Sequence, residues 1–214
     1  MNKILSLFTV LVLFSCGEKK EILLPKSDVT VVKTVSDISK IDFFFKMEKN
    51  DTLVDINKSS IISTTNWVFN VDKRLPLKTI LPEIIKLQEK KLKRKSSEDA
   101  PKDNYYSYAD SIGKNLAFLP FSNVKYVLGN YPENKSEEIL VIQFDKNNKM
   151  TCNGTLISEK ELDSYIKTNF NDKKMKVCLI FDKNLSFDEY LSAKILFTKL
   201  LYPNLIFDGT EYVF

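Results

Sequence analysis

Histidine is absent from the 214 residues. That excludes Ser-His-Asp and Cys-His catalysis, His-ligated zinc and proton relays built on imidazole. Glycine is scarce, with 5 residues in the whole chain, which argues against glycine-rich phosphate loops. Only 3 cysteines occur, at Cys16, Cys152 and Cys178. A disulfide between the last two is chemically allowed outside the cytoplasm, but both fall in apolar strand-like runs, which favours buried free thiols. No apolar run reaches the roughly 20 residues of a membrane-spanning helix. Net charge is small, +4, and its excess is concentrated in Lys90-Lys91-Leu92-Lys93-Arg94-Lys95, so a nucleic-acid partner is not expected.

Aromatic residues are plentiful, with 15 Phe and 9 Tyr, and predict a well-filled core. The amino terminus carries the most specific signal. Lys3 precedes an apolar run from Ile4 to Phe14, then Ser15, Cys16 and Gly17. A basic start, a short apolar segment and a small residue before a break read as a secretory signal. The ending Leu13-Phe14-Ser15-Cys16 resembles the lipobox of bacterial lipoproteins, with Phe14 bulkier than is usual there. That resemblance implies cleavage before Cys16 and lipid, palmitate among the acyl chains, on its sulfur and amine. More than one chain gives stable anchoring. The implied location is the cell envelope, lipid-anchored, at the outer membrane and facing the periplasm, with the membrane itself as one partner.

The resulting division is a signal peptide over 1–15, a tether over 16–28, a first module over 29–129 with a basic loop at 90–103, and a second module over 130–214. In the first, alternation and β-branching predict strands over 28–35, 41–47, 52–56 and 67–71. Apolar residues at Leu77, Ile80, Leu81, Ile84, Ile85 and Leu87 predict an amphipathic helix. The basic run at its end reads as a solvated helix terminus or, alternatively, as a contact with lipid headgroups or cell-wall polymer through Lys91, Lys93 and Arg94. Residues 104–116 are expected to hold a short helix from Ser107, and Tyr105, Tyr106 and Tyr108 either line a binding face or pack over the core edge. Val124 to Leu128 is expected to close the first module. In the second, strands are predicted over 138–144, 149–152 and 176–181, with Asn153-Gly154 as a turn. Ser158 and Glu161 fit a capping box opening a helix to Phe170, and a further helix runs from Phe187 to Leu201.

An internal repeat is visible. Placing Asp72-Lys73 on Asp182-Lys183 puts Leu75 on Leu185, Leu77 on Phe187, Leu81 on Leu191 and Ile85 on Ile195. Each phrase follows an apolar strand and opens a helix. The acids at these turns are expected to be structural, because an Asp after a strand caps the next turn or helix. An acid–base role for Asp182 with Asp188 or Glu189 is the alternative.

The order hairpin, helix, strand, helix, strand from Glu138 to Phe207 resembles the periplasmic domain of the ExbD/TolR biopolymer-transport family. Residues 142–154 are similar to its opening hairpin, 157–162 to the start of its first helix and 182–187 to its acidic turn. The first half matches less well, since the polar stretch 58–65 stands where the first helix belongs. The resemblance implies an α+β fold of two tandem two-layer α/β modules, each a small, mostly antiparallel sheet with helices on one face. It also implies binding of peptidoglycan or envelope proteins, and homodimerisation. Motor coupling is not implied, because the apolar segment carries no acid. The expectation is therefore a non-enzymatic envelope binding protein without cofactor or metal. An envelope immunity or inhibitor lipoprotein is the alternative.

Overall fold

The structure is a computed structural model that describes residues 20–93, 102–129, 138–170, 173–200 and 202–214. The signal peptide, Cys16, Arg94 and most of the basic loop lie outside the described residues. The first half contains β1 (Lys26–Ser27), β2 (Ile38–Glu48), β3 (Asp51–Asn57), β4 (Asn66–Val71), α1 (Leu77–Lys93), β5 (Asn104–Asp110), β6 (Asn115–Pro120) and β7 (Lys125–Leu128). The second contains β8 (Ile139–Phe144), β9 (Met150–Cys152), β10 (Thr155–Leu156), α2 (Glu159–Phe170), β11 (Met175–Phe181), α3 (Phe187–Thr198) and β12 (Leu205–Val213). The class is α+β, with two six-stranded mixed sheets and, among the described residues, three helices.

Turn chemistry explains the hairpins. Lys49 and Asn50 adopt φ of 48° and 68°, and Asn153-Gly154 adopts 48° and 81°. Two successive left-handed residues match the twist of a two-residue hairpin, so β2 returns directly as β3 and β9 as β10. α1 buries Leu77, Ile80, Leu81, Ile84 and Leu87 at helical spacing and tolerates Pro82 within its second turn.

The two sheets share one connectivity. The order β3-β2-β4-β5 in the first matches β9-β8-β11-β12 in the second. In both, the outer hairpin is antiparallel and the next two pairings are parallel. Among the described residues six strand pairings are parallel and four antiparallel, so the expectation of mostly antiparallel sheets is corrected. The physical reason is that α1 and α3 each serve as the crossover of a β-α-β unit, and a crossover of that length returns the chain parallel.

Three further expectations change. Residues 104–116 form β5 and the turn into β6 rather than a helix. Tyr106, Tyr108 and Asp110 are buried with period two, and aromatic residues suit a pleated surface. Residues 28–35 make a strap with a single bridge, Val32 to Phe118. β7 joins the second sheet through β12 rather than closing the first, so that sheet already begins before Gly129. Gly209, at φ 79°, makes this possible: a Cβ there would strike the Asn123 carbonyl as the chain crosses β12.

The halves meet through their repeated phrases. Pro76 and Ser186 form an antiparallel bridge. Leu77 N donates to Leu185 O at 3.0 Å, and Phe187 N donates to Leu75 O at 2.8 Å. Lys78 N donates to Lys183 O, and Asp188 N to Lys73 O. Each bond has its counterpart with the halves exchanged, which is local two-fold symmetry within one chain. Leu75, Leu77, Leu185 and Phe187 are fully buried around it.

Candidate binding site

The turn acids are structural in geometry. Asp72 is fully buried; its carboxylate accepts from Leu23 N at 3.0 Å, Arg74 N at 3.1 Å, and Arg74 Nε and Nη2 at 2.8 Å each. Burial alone would raise its pKa, but the Arg74 side chain and the two backbone donors outweigh it and hold the carboxyl below its ordinary value. Asp182 accepts from Asn184 N at 2.7 Å and Asn184 Nδ2 at 3.0 Å, closing an Asx turn. Lys73 and Lys183 supply two of the four backbone carbonyls of the two-fold junction, Leu75 and Leu185 the others.

The helix cap belongs to Ser186. Its hydroxyl accepts from Glu189 N at 3.3 Å, while the Glu189 carboxylate accepts from Ser186 N at 3.1 Å, a complete capping box. Glu189 is thereby committed to the helix start. At the predicted box, Glu161 reaches back to Ser158 N at 3.0 Å, but Glu161 N donates to the Ser158 carbonyl at 3.1 Å rather than to its hydroxyl.

Two of the three tyrosines singled out by sequence are interior. Tyr106 and Tyr108 are fully buried, and Tyr105 is half-buried with its hydroxyl 3.3 Å from Asp103 Oδ2. Tyr108 fastens the strap, donating to Val29 O at 2.8 Å and accepting from Val31 N at 2.9 Å. Tyr106 begins a buried polar chain. Its hydroxyl lies 2.7 Å from that of Tyr126, which lies 3.1 Å from that of Tyr190, which donates to Glu211 Oε2 at 2.7 Å. Lys194 ion-pairs with the other Glu211 oxygen. Burial pushes all three phenols well above their usual pKa. The chain runs from β5 through β7 to α3 and β12, so it crosses both sheets. Sequence reasoning missed Tyr126, Tyr190, Lys194 and Glu211, because no local pattern joins residues this far apart.

Of the basic residues, Lys91 is 8% exposed although it belongs to a lysine run. Its Nζ donates to Asp103 O and Asn104 Oδ1 at 3.0 Å each and sits 4.8 Å from the centre of the Trp67 ring. Burial pulls its pKa down to about 8, with Asp103 opposing. Lys93 is exposed at the end of α1. Lys91 forms one wall of an open pocket of about 570 Å³ between the end of α1 and residues 122–126. Lys102, Asp103, Ser122 and Lys125 edge this pocket, and Ile85, Leu92 and Val124 give it an apolar floor. Tyr126 lines it as well, so it abuts the middle of the tyrosine chain. The arrangement offers ammonium, hydroxyl and carboxylate groups around an apolar patch, which suits a polar polymer or peptide.

Among the described residues, no group of three or more Cys, Asp or Glu side chains converges to hold a metal ion. No helix among them is long and apolar enough to cross a membrane. Cys152 and Cys178 are buried and not joined in a disulfide. Comparison with known proteins found no matching family model, no matching curated protein and no matching solved structure.

Proposed function

We propose that this chain is a lipid-anchored cell-envelope protein that acts by binding, built from two ExbD/TolR-like modules fused into an internal dimer. The observation that carries the reading is the two-fold junction at Pro76 and Ser186. Two units with one strand connectivity are joined there through equivalent backbone bonds. The tendency to dimerise that the sequence resemblance implies is thus met within a single chain. Lipid on Cys16 holds the protein at the outer membrane, on the periplasmic side. The ligand surface is the pocket beside Lys91, with Lys102 and Lys125 at its margin, and it takes peptidoglycan or an envelope protein.

The test is retention of isolated peptidoglycan sacculi, and separately of solubilised envelope proteins, by the lipid-free chain from residue 17. Saturable retention weakened by Lys102→Glu with Lys125→Glu supports the reading. Retention of neither class overturns it.

A further inference from the structure

The β2–β3 hairpin is longer than its counterpart. β2 pairs with β4 only from Ile38 to Phe43, yet pairs with β3 as far as Glu48. Phe44–Glu48 and Asp51–Asp55 therefore extend past the sheet as a two-stranded arm. In the second module the hairpin pairs only Ile142–Phe144 with Met150–Cys152 and has no such arm. A two-stranded ribbon is marginal by itself, so an arm of this length needs cover.

Strand alternation divides its side chains between two faces. Phe45 and Met47, opposite Val54 and Thr52, continue the core face, and the Arg74 guanidinium covers Phe45 at 4.2 Å. Phe44 and Lys46, opposite Asp55 and Leu53, form the outer face. Lys20 lies on this outer face: its ammonium is 5.8 Å from the Phe44 ring centre and ion-paired with Asp55. A hollow of about 730 Å³ opens there, lined by Lys20, Glu21, Phe44, Lys46, Leu53 and Asp55.

Chain length then places this face. Cys16 precedes Lys20 by four residues, and four residues reach at most about 14 Å. If Cys16 is held at a bilayer surface, Lys20 and the outer face it covers lie within about 14 Å of that surface. Its chemistry suits the location. Leu53 on this face is 40% exposed. Lys20, Lys46 and Lys49 alternate with Glu21, Glu48 and Asp51 around them. Long lysine stems can lie along acyl chains while their ammonium groups meet phosphates. The balanced charge fits zwitterionic headgroups rather than a strongly anionic surface.

We infer that the β2–β3 arm is a membrane-docking element, whose outer face of Phe44 and Leu53 rests in the zwitterionic headgroup layer. This rests on Cys16 being lipidated.

The test uses the lipidated full chain in phosphatidylethanolamine–phosphatidylcholine vesicles, with an environment-sensitive fluorophore on Leu53→Cys. Lys46→Cys reports the same face should the first variant fold poorly, and Thr168→Cys on exposed α2 is the reference. The buried thiols of Cys152 and Cys178 leave the introduced cysteine as the labelled site. The arm probes are expected to shift to the blue and to be quenched by headgroup-labelled lipid, and the Thr168 probe to do neither. Protein that floats with the vesicles but gives equal signals at all positions overturns the docking and leaves the anchor standing. Failure to float, with Cys16→Ser indistinguishable from the parent, overturns the anchor and the docking together. A Leu53 signal shielded in lipid-free protein as concentration rises assigns the arm to a second copy and overturns the docking.

Discussion

Leu75 and Leu185 occupy the same position in the two halves, and each offers its carbonyl to the helix start of the other half, at 2.8 Å to Phe187 N and 3.0 Å to Leu77 N. Both side chains are fully buried at the junction. The repeat is therefore also the adhesive: the segment that ends one strand and opens one helix docks onto its own counterpart.

Cutting either leucine to alanine removes buried contacts at the same place, so similar losses are expected. Leu75→Ala and Leu185→Ala should each cost about 2–5 kcal/mol. Because they share one interface, the double variant should cost less than the sum. Urea denaturation of the four proteins measures this. Strict additivity would show that the halves do not share a cooperative junction.

Asp72 makes a pH prediction. Its folded-state pKa lies below the ordinary value, so its contribution is present above the unfolded value of about 3.9 and is lost as pH falls through the lower folded value. Arg74→Ala leaves the buried carboxylate with only its backbone donors and should cost about 2 kcal/mol at pH 7. The difference from the parent should shrink toward pH 2. Thermal unfolding followed at pH 7, 4 and 2 checks both statements.

At Lys91 the lowered pKa marks a penalty rather than a gain. Its folded pKa, about 8, lies below the unfolded value near 10.4, so the unfolded chain binds the extra proton between those limits. A penalty present below pH 8 is relieved as pH rises toward 10. Lys91→Met should abolish this rise. Denaturation midpoints of parent and variant between pH 7.5 and 9.5 measure it, below the range in which the tyrosines ionise.

The tyrosine chain should behave as one unit. Tyr126→Phe removes the hydroxyl shared by Tyr106 and Tyr190 and should cost about 1–3 kcal/mol. Combined with Tyr106→Phe, the loss should be less than additive, since both variants break the same bond. Chemical denaturation of the two single variants and the double variant checks it.

The thiols offer a cheap control. Desolvation raises the Cys152 pKa to about 11. A buried thiol held protonated is a poor nucleophile. Neither Cys152 nor Cys178 should react with a thiol reagent at pH 8 until denaturant is added.

Local patterns carried much of the fold. The hairpins, the helices at Leu77, Glu159 and Phe187, and the repeated strand–turn–helix phrase all follow from alternation, helical spacing and turn residues. The stretch 104–110 is a strand, not a helix, because its tyrosines alternate with smaller residues, which puts Tyr106, Tyr108 and Asp110 on one buried face. The candidate pocket was only partly legible. The lysine run marked the end of α1, but not that Lys91 turns inward against Trp67.

What the sequence determined by itself is the set of local units, the absence of imidazole chemistry and the repeat, since each depends on neighbours within a turn or two. Tertiary structure alone decided that β7 crosses to the second sheet, that the repeats dock on each other and that four residues from β5, β7, α3 and β12 share one buried polar chain. Those outcomes depend on which apolar faces cover one another and where buried polar groups find partners. Both are settled by contacts between residues far apart in the chain.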